Sequence, residues 1–153
     1  MANDSSRELT RLVLPVPELE GSVPGAHIML VERFLVAAAV NDGVISELRE
    51  FFADLTPFAY VLTEMAEFPN GVRYLPPQPV GVFRRITHGL RRSFPEVIES
   101  TTSLDTVVPH LTLPENVEVP TPLEVHAQEA LLLLGTGEHQ AVLATFRFGT
   151  SAA

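Results

Sequence analysis

Apolar and polar positions along the chain fall into runs with two different periods. Leu12 to Val16 is a short apolar run closed by Pro15 and Pro17, which predicts an edge strand. Glu18 to Gly25 reads as a loop punctuated by Gly21, Pro24 and Gly25. Ala26 to Val31 is continuously apolar except for one His, which predicts a buried strand. Asn41 or Asp42 is positioned to cap a helix that follows. Val44, Ile45, Leu48, Phe51, Phe52 and Leu55 recur at helical spacing, with Glu47, Arg49, Glu50 and Asp54 on the other face, and Pro57 stops the pattern.

The second half repeats this alternation. Phe58 to Phe68 is rich in β-branched and aromatic residues, Pro69-Asn70-Gly71 signals a turn, and Val72 to Leu75 is the return strand. A second helix runs from about Val80 to Phe94, with Phe83, Ile86, Leu90 and Phe94 as its apolar stripe. Arg84, Arg85, His88, Arg91 and Arg92 form its polar face and read as a solvated surface. Ser93 to Thr106 is irregular, Val107 to Leu113 is another apolar run with one His, and Pro114 to Pro122 is a loop. Leu123 to Leu134 and Gln140 to Phe148 read as two long strands joined by a hairpin that holds His139. The order predicts an α+β fold of one domain, with antiparallel strands and helices segregated. A division near residues 76–79 gives two lobes, about 10–78 and 79–148, each with a helix and a His-bearing strand.

Composition narrows the chemistry. The 153 residues contain no Cys, and every one of the ten basic residues is Arg. Thiol nucleophiles, disulfides and thiolate metal sites are therefore excluded, as are Lys Schiff bases and ordinary P-loops. Five His and nineteen Asp and Glu remain for proton transfer. The net charge of −9 argues against a long nucleic-acid track but leaves room for a nucleotide in a local site. No apolar run reaches the roughly 18 residues of a membrane span, and no secretory leader is evident, so the expectation is a cytoplasmic protein.

The two His-bearing runs share a pattern: Ala26-His27-Ile28-Met29-Leu30 and Pro109-His110-Leu111-Thr112-Leu113. In a strand, His27 and Met29 share one face and Ile28 and Leu30 the other; His110 and Thr112 are arranged likewise. Taken singly, a His on an apolar strand is more often a satisfied core residue. Taken as a pair, two imidazoles divide general-base and general-acid work on a phosphodiester near neutral pH, and a hydroxyl two residues on donates to a phosphate oxygen. Such a pair needs no metal. His126 and Glu129, three apart in a strand, are expected to point oppositely and to share no metal site. Tyr74 is either a stacking or donating residue at a cleft edge or a half-buried sheet aromatic. Arg73 is expected to face away from it, into solvent.

The stretch His27-Ile28-Met29-Leu30-Val31-Glu32-Arg33-Phe34-Leu35 resembles the first motif of the 2H phosphoesterase superfamily, also described as 2′-5′ RNA ligase-like. Val107-Val108-Pro109-His110-Leu111-Thr112-Leu113 resembles the second. The order of elements is similar over nearly the whole chain. The resemblance implies a bilobal, pseudo-twofold fold around a central cleft, with antiparallel sheets inside and helices outside. It implies His27 and His110 as acid and base and Thr112 as a phosphate donor. It further implies metal-independent hydrolysis, without cofactor, of a cyclic or 2′-5′-linked nucleotide or related small phosphoester. Two departures stand out. Met29 replaces the hydroxyl of the first motif, and a thioether cannot donate. Pro114 to Pro122 is too short for the helix usual before the closing strands. Both leave open an alternative, a repurposed member that binds or transforms a small metabolite without phosphodiester hydrolysis.

Overall fold

In the computed structural model, residues 8–31, 34–94, 109–135 and 140–149 are described. Glu32, Arg33, Val107, Val108 and His139, and nearly all of the irregular segment expected from Ser93 to Thr106, lie outside them. Among the described residues, ten strands and two α-helices follow in the order β1 (Thr10–Pro15), β2 (His27–Val31), α1 (Asp42–Ala53), β3 (Phe58–Leu62), β4 (Ala66–Glu67), β5 (Arg73–Leu75), β6 (Pro77–Gln78), α2 (Val80–Ser93), β7 (Leu111–Leu113), β8 (Leu123–Ala127), β9 (Glu129–Leu134) and β10 (Ala141–Arg147). The α+β class expected from the pattern is observed.

The helices form where local chemistry asks for them. Asn41 caps α1 by accepting from the Val44 amide at 2.9 Å. Leu48 and Phe52 face inward, and Phe52 stacks on Phe146 and Phe148 at 5.6 and 6.0 Å. Helix α2 starts directly after Pro79 and buries Phe83, Ile86, Thr87 and Leu90. The Thr87 hydroxyl donates to the Leu30 carbonyl at 3.0 Å, so α2 is tied to β2 by a buried polar contact as well as by its apolar stripe. No helix among the described residues is long and apolar enough to cross a membrane.

Strand pairing corrects two expectations. First, β1 is interior, between β9 and β2 in the order β10-β9-β1-β2. Leu12, Val13 and Leu14 are fully buried, and Pro15 falls at the strand's last residue. Second, the long strand expected from Leu123 to Leu134 breaks at Gln128: β8 pairs with β3 and β9 with β1 and β10. The first two strands pair with the last two in one sheet, and β3 to β8 make the remainder. That remainder is two three-stranded sheets, β6-β3-β8 and β4-β5-β7, joined by one bent hairpin. Both the amide and the hydroxyl of Thr63 donate to the Pro76 carbonyl at the bend, at 3.0 and 3.1 Å.

Strands β2 and β7 run close together. Their buried residues, Ile28 and Leu30 on β2 and Leu111 and Leu113 on β7, join the common core with the helices. His27, Met29, His110 and Thr112 are left on the opposite faces, half-buried or exposed.

Candidate active site

The register of β1 against β2 sets the first half of the site. Pro15 pairs with His27 and Val13 with Met29, so these residues share one face of the sheet. Just before β2, Gly25 takes a φ of +72°, a conformation in which a side chain is strained. That turn aims its carbonyl oxygen at the His27 ring: Nδ1 lies 2.9 Å away and donates to it. The Gly25 amide in turn donates to Glu20 Oε2 at 3.1 Å. With Nδ1 occupied as donor, the neutral ring carries its lone pair on Nε2.

Electrostatics favour that neutral state. Burial pulls the His27 pKa below its ordinary 6.5; the Gly25 bond opposes this, and the positive charges of Arg11 and of protonated His110 push it further down. The same interaction places His110 within electrostatic reach of His27.

His110 stands just before β7 in an aromatic setting. Its ring meets Phe68 edge-on at 5.0 Å and Tyr74 at 5.7 Å, while Phe68 and Tyr74 stack on each other at 4.0 Å. Tyr74 pairs with Thr112 across the β5–β7 ladder and so shares its face. Thr112 is exposed, two residues from His110 on the same side. One face of Tyr74 is therefore taken up by Phe68, which favours a packing role beside the imidazole.

Two sequence readings change. Arg73 is not a solvated neighbour: its guanidinium donates to the carbonyls of Pro114 and Val117 at 2.9 and 3.2 Å, pinning the loop that follows β7. His126 and Glu129 are not separated by strand alternation, because the break at Gln128 resets it. Both line one cavity of about 380 Å³ with Pro15, Pro17, Glu18 and Gln128. No group of three or more His, Asp or Glu among the described residues is placed to hold a metal ion. Arg11, Gly25 and Phe68, which sequence reasoning passed over, all act on the two His. Gly25 alone carried a signal, as the turn residue before the motif.

The model of the 2′-5′ RNA ligase superfamily matches residues 8–135. The chain belongs to this superfamily. Among solved structures, Escherichia coli LigT in apo form is similar over 95% of this chain and 99% of that one, with a TM-score of 0.66 at 15% identity. LigT complexed with 3′-AMP is similar over 92% and 98%, with a TM-score of 0.62 at 15% identity. A protein described as a phosphoesterase is similar over 94% and 99%, with a TM-score of 0.65 at 14% identity. At these identities the likeness is one of fold, the LigT-like α+β fold. No curated protein matches the sequence.

Proposed function

We propose that this member of the superfamily is a metal-independent phosphodiesterase acting on a cyclic or 2′-5′-linked nucleotide or a related small phosphoester. The observation that carries the reading is the placement of His27 on β2 and of His110 at the start of the adjoining β7, with the His110 charge reaching the His27 ring. His27 is the general base, because its Nδ1 is spent on Gly25 and its surroundings favour an unprotonated Nε2. Nε2 takes a proton from the attacking water, whose oxygen bonds to phosphorus. His110, protonated, gives its proton to the leaving ester oxygen as that P–O bond breaks. The product is a phosphomonoester, and a second proton exchange with water restores both rings.

Thr112 donates to a non-bridging phosphate oxygen. Tyr74 holds the His110 ring through the Phe68 stack. Solved LigT complexes contain 3′-AMP, NADP+ and ATP, which supports a small nucleotide as the ligand class here. The test is hydrolysis of 2′,3′-cyclic nucleotides by wild type, His27→Ala and His110→Ala, with and without EDTA. The expected result is loss of turnover in both variants and indifference to EDTA. Equal rates in all three proteins would refute the site.

One observation favours a second reading. Met29 places a half-buried thioether on the His27 face, where it cannot donate to phosphate. A non-hydrolytic metabolite site would show as thermal stabilisation by apolar ligands and none by phosphates or nucleotides.

A further inference from the structure

The His27 side of the site has no donor on β2 beyond the imidazole itself, yet a guanidinium lies on the same sheet face. The β1–β2 register shifts between Leu12 and Val13, but β1 pairs regularly with β9 there, so alternation puts Arg11 on the side of Val13 and Pro15, which pair with Met29 and His27. Arg11 Nη2 donates to the Gly135 carbonyl at 2.6 Å and to Gln140 Oε1 at 3.2 Å. Both acceptors are neutral. The Nε–H is buried and has no hydrogen-bond partner among the described residues. Among the described residues this half-buried cation is held by neutral oxygens alone, so its charge has no counter-ion and an anion would supply one.

The same tie brings Arg11 to the catalytic turn. A Cβ on Gly25 would lie 3.6 Å from Gln140 Nε2, so the amide held by Arg11 abuts the residue whose carbonyl orients His27. By contrast, Arg84, Arg85 and Arg92 lie exposed on α2, whose buried side packs into the core behind the motif strands. Arg73 is committed to the loop after β7.

We infer that Arg11 supplies the positive charge that binds the substrate's phosphate on the side of the site where Met29 offers no donor. The inference rests on the phosphodiesterase reading and names a binding residue for it. The guanidinium fork matches a phosphate edge, and the 3.2 Å contact to Gln140 is the weaker of its two bonds and the one a phosphate oxygen replaces. Arg11 also explains how His27 stays neutral beside an anionic substrate: its positive field opposes protonation of the ring.

Inorganic phosphate is the probe, titrated by 31P NMR and by thermal shift into wild type, Arg11→Met, Arg11→Lys and Gln140→Ala. Steady-state kinetics on 2′,3′-cyclic AMP run alongside. Arg11→Met is expected to weaken phosphate binding by roughly tenfold or more and to raise KM more than it lowers kcat. Arg11→Lys recovers part of the affinity. Gln140→Ala keeps the charge and is expected to bind phosphate as well as wild type. If Arg11→Met binds phosphate normally, or if Gln140→Ala loses affinity as much as Arg11→Met, the guanidinium is a clamp for the β9–β10 hairpin and the inference fails. Absence of phosphate binding to wild type also overturns it. Phosphate binding that depends on Arg11, with no hydrolysis of any cyclic nucleotide, overturns the phosphodiesterase reading and leaves the anion site standing.

Discussion

His27 donates from Nδ1 to the Gly25 carbonyl at 2.9 Å, so the turn before β2 decides which imidazole nitrogen is left for chemistry. The turn depends on the positive φ of Gly25, which a side chain adopts only at a cost of about 1–2 kcal/mol. A Cβ there would meet Gln140 at an ordinary contact distance, so the strain comes from the backbone alone. Gly25→Ala is expected to lower stability by about that amount in urea denaturation. It should also reduce kcat/KM, because the carbonyl shifts away from Nδ1. A variant with wild-type stability and rate would show that neither the φ nor the bond matters.

The depressed pKa of His27 sets the direction of the pH dependence. In the proposed mechanism the neutral ring is the base, so the acid limb of kcat/KM should fall below pH 6.5. Stability follows the same group. Between the folded pKa and the unfolded value of 6.5, the unfolded chain holds more protons, so stability rises with pH through that window and is reduced below it. His27→Ala should flatten this part of the stability curve. Arg11→Met removes a positive neighbour and should move the acid limb upward. A limb at or above 6.5 in wild type would contradict the assignment of His27 as base.

The helices and the two faces of the motif strands were legible because their information is local. Asn41 with the stripe through Leu48 and Phe52 specified α1, and strict alternation around His27 and His110 separated their outer faces from Ile28, Leu30, Leu111 and Leu113. Pairing was not legible. An apolar run such as Leu12 to Val16 has the same pattern in an edge or an interior strand, and its partner β9 lies more than a hundred residues away in sequence. The break at Gln128 likewise has no Gly or Pro to mark it; it exists because β8 and β9 serve different sheets. The supports of the site were hidden for a related reason. Arg73 reaches Pro114 and Val117, and Arg11 reaches Gly135 and Gln140, through contacts distant in sequence. Composition reveals an Arg, not where its guanidinium goes.

The asymmetry between Thr112 and Met29 is testable by exchange. Thr112→Val deletes the proposed donor to phosphate and should slow turnover by roughly 10- to 100-fold, the equivalent of about 1.5–3 kcal/mol for a bond to a charged group. Thr112 is exposed, so stability should change by less than about 0.5 kcal/mol. Met29→Thr adds a donor on the opposite side and should raise kcat/KM. If Met29→Thr leaves the rate unchanged while Thr112→Val abolishes it, phosphate is held from the β7 side alone.

Arg73 secures the loop after the second motif. Removing its guanidinium leaves the Pro114 and Val117 carbonyls without this donor, in a loop where Asn116 already has a φ of 65°. Arg73→Met should cost about 1–2 kcal/mol, since one of the two bonds is solvent-exposed. Hydrogen exchange of the amides from Val117 to Val119 should rise at the same time. Unchanged exchange there would place the loop's order in the packing of Val117 and Val119 against the core instead.

Tyr74 separates packing from chemistry at the second His. Its ring stacks on Phe68 and meets the His110 edge, and its hydroxyl is a separate asset that it shares with no phenylalanine. Tyr74→Phe keeps both ring contacts. It should leave kcat within about threefold of wild type if the ring's role is to hold His110, since the lost hydroxyl would then make no transition-state contact. Phe68→Ala and Tyr74→Ala both remove one wall of the imidazole and should lower kcat with little change in KM, because a free ring spends less time aligned with the leaving oxygen. Loss of activity in Tyr74→Phe as large as in Tyr74→Ala would instead make the hydroxyl a phosphate donor. The second side of the site would then hold two donors, Thr112 and Tyr74, paired across one ladder.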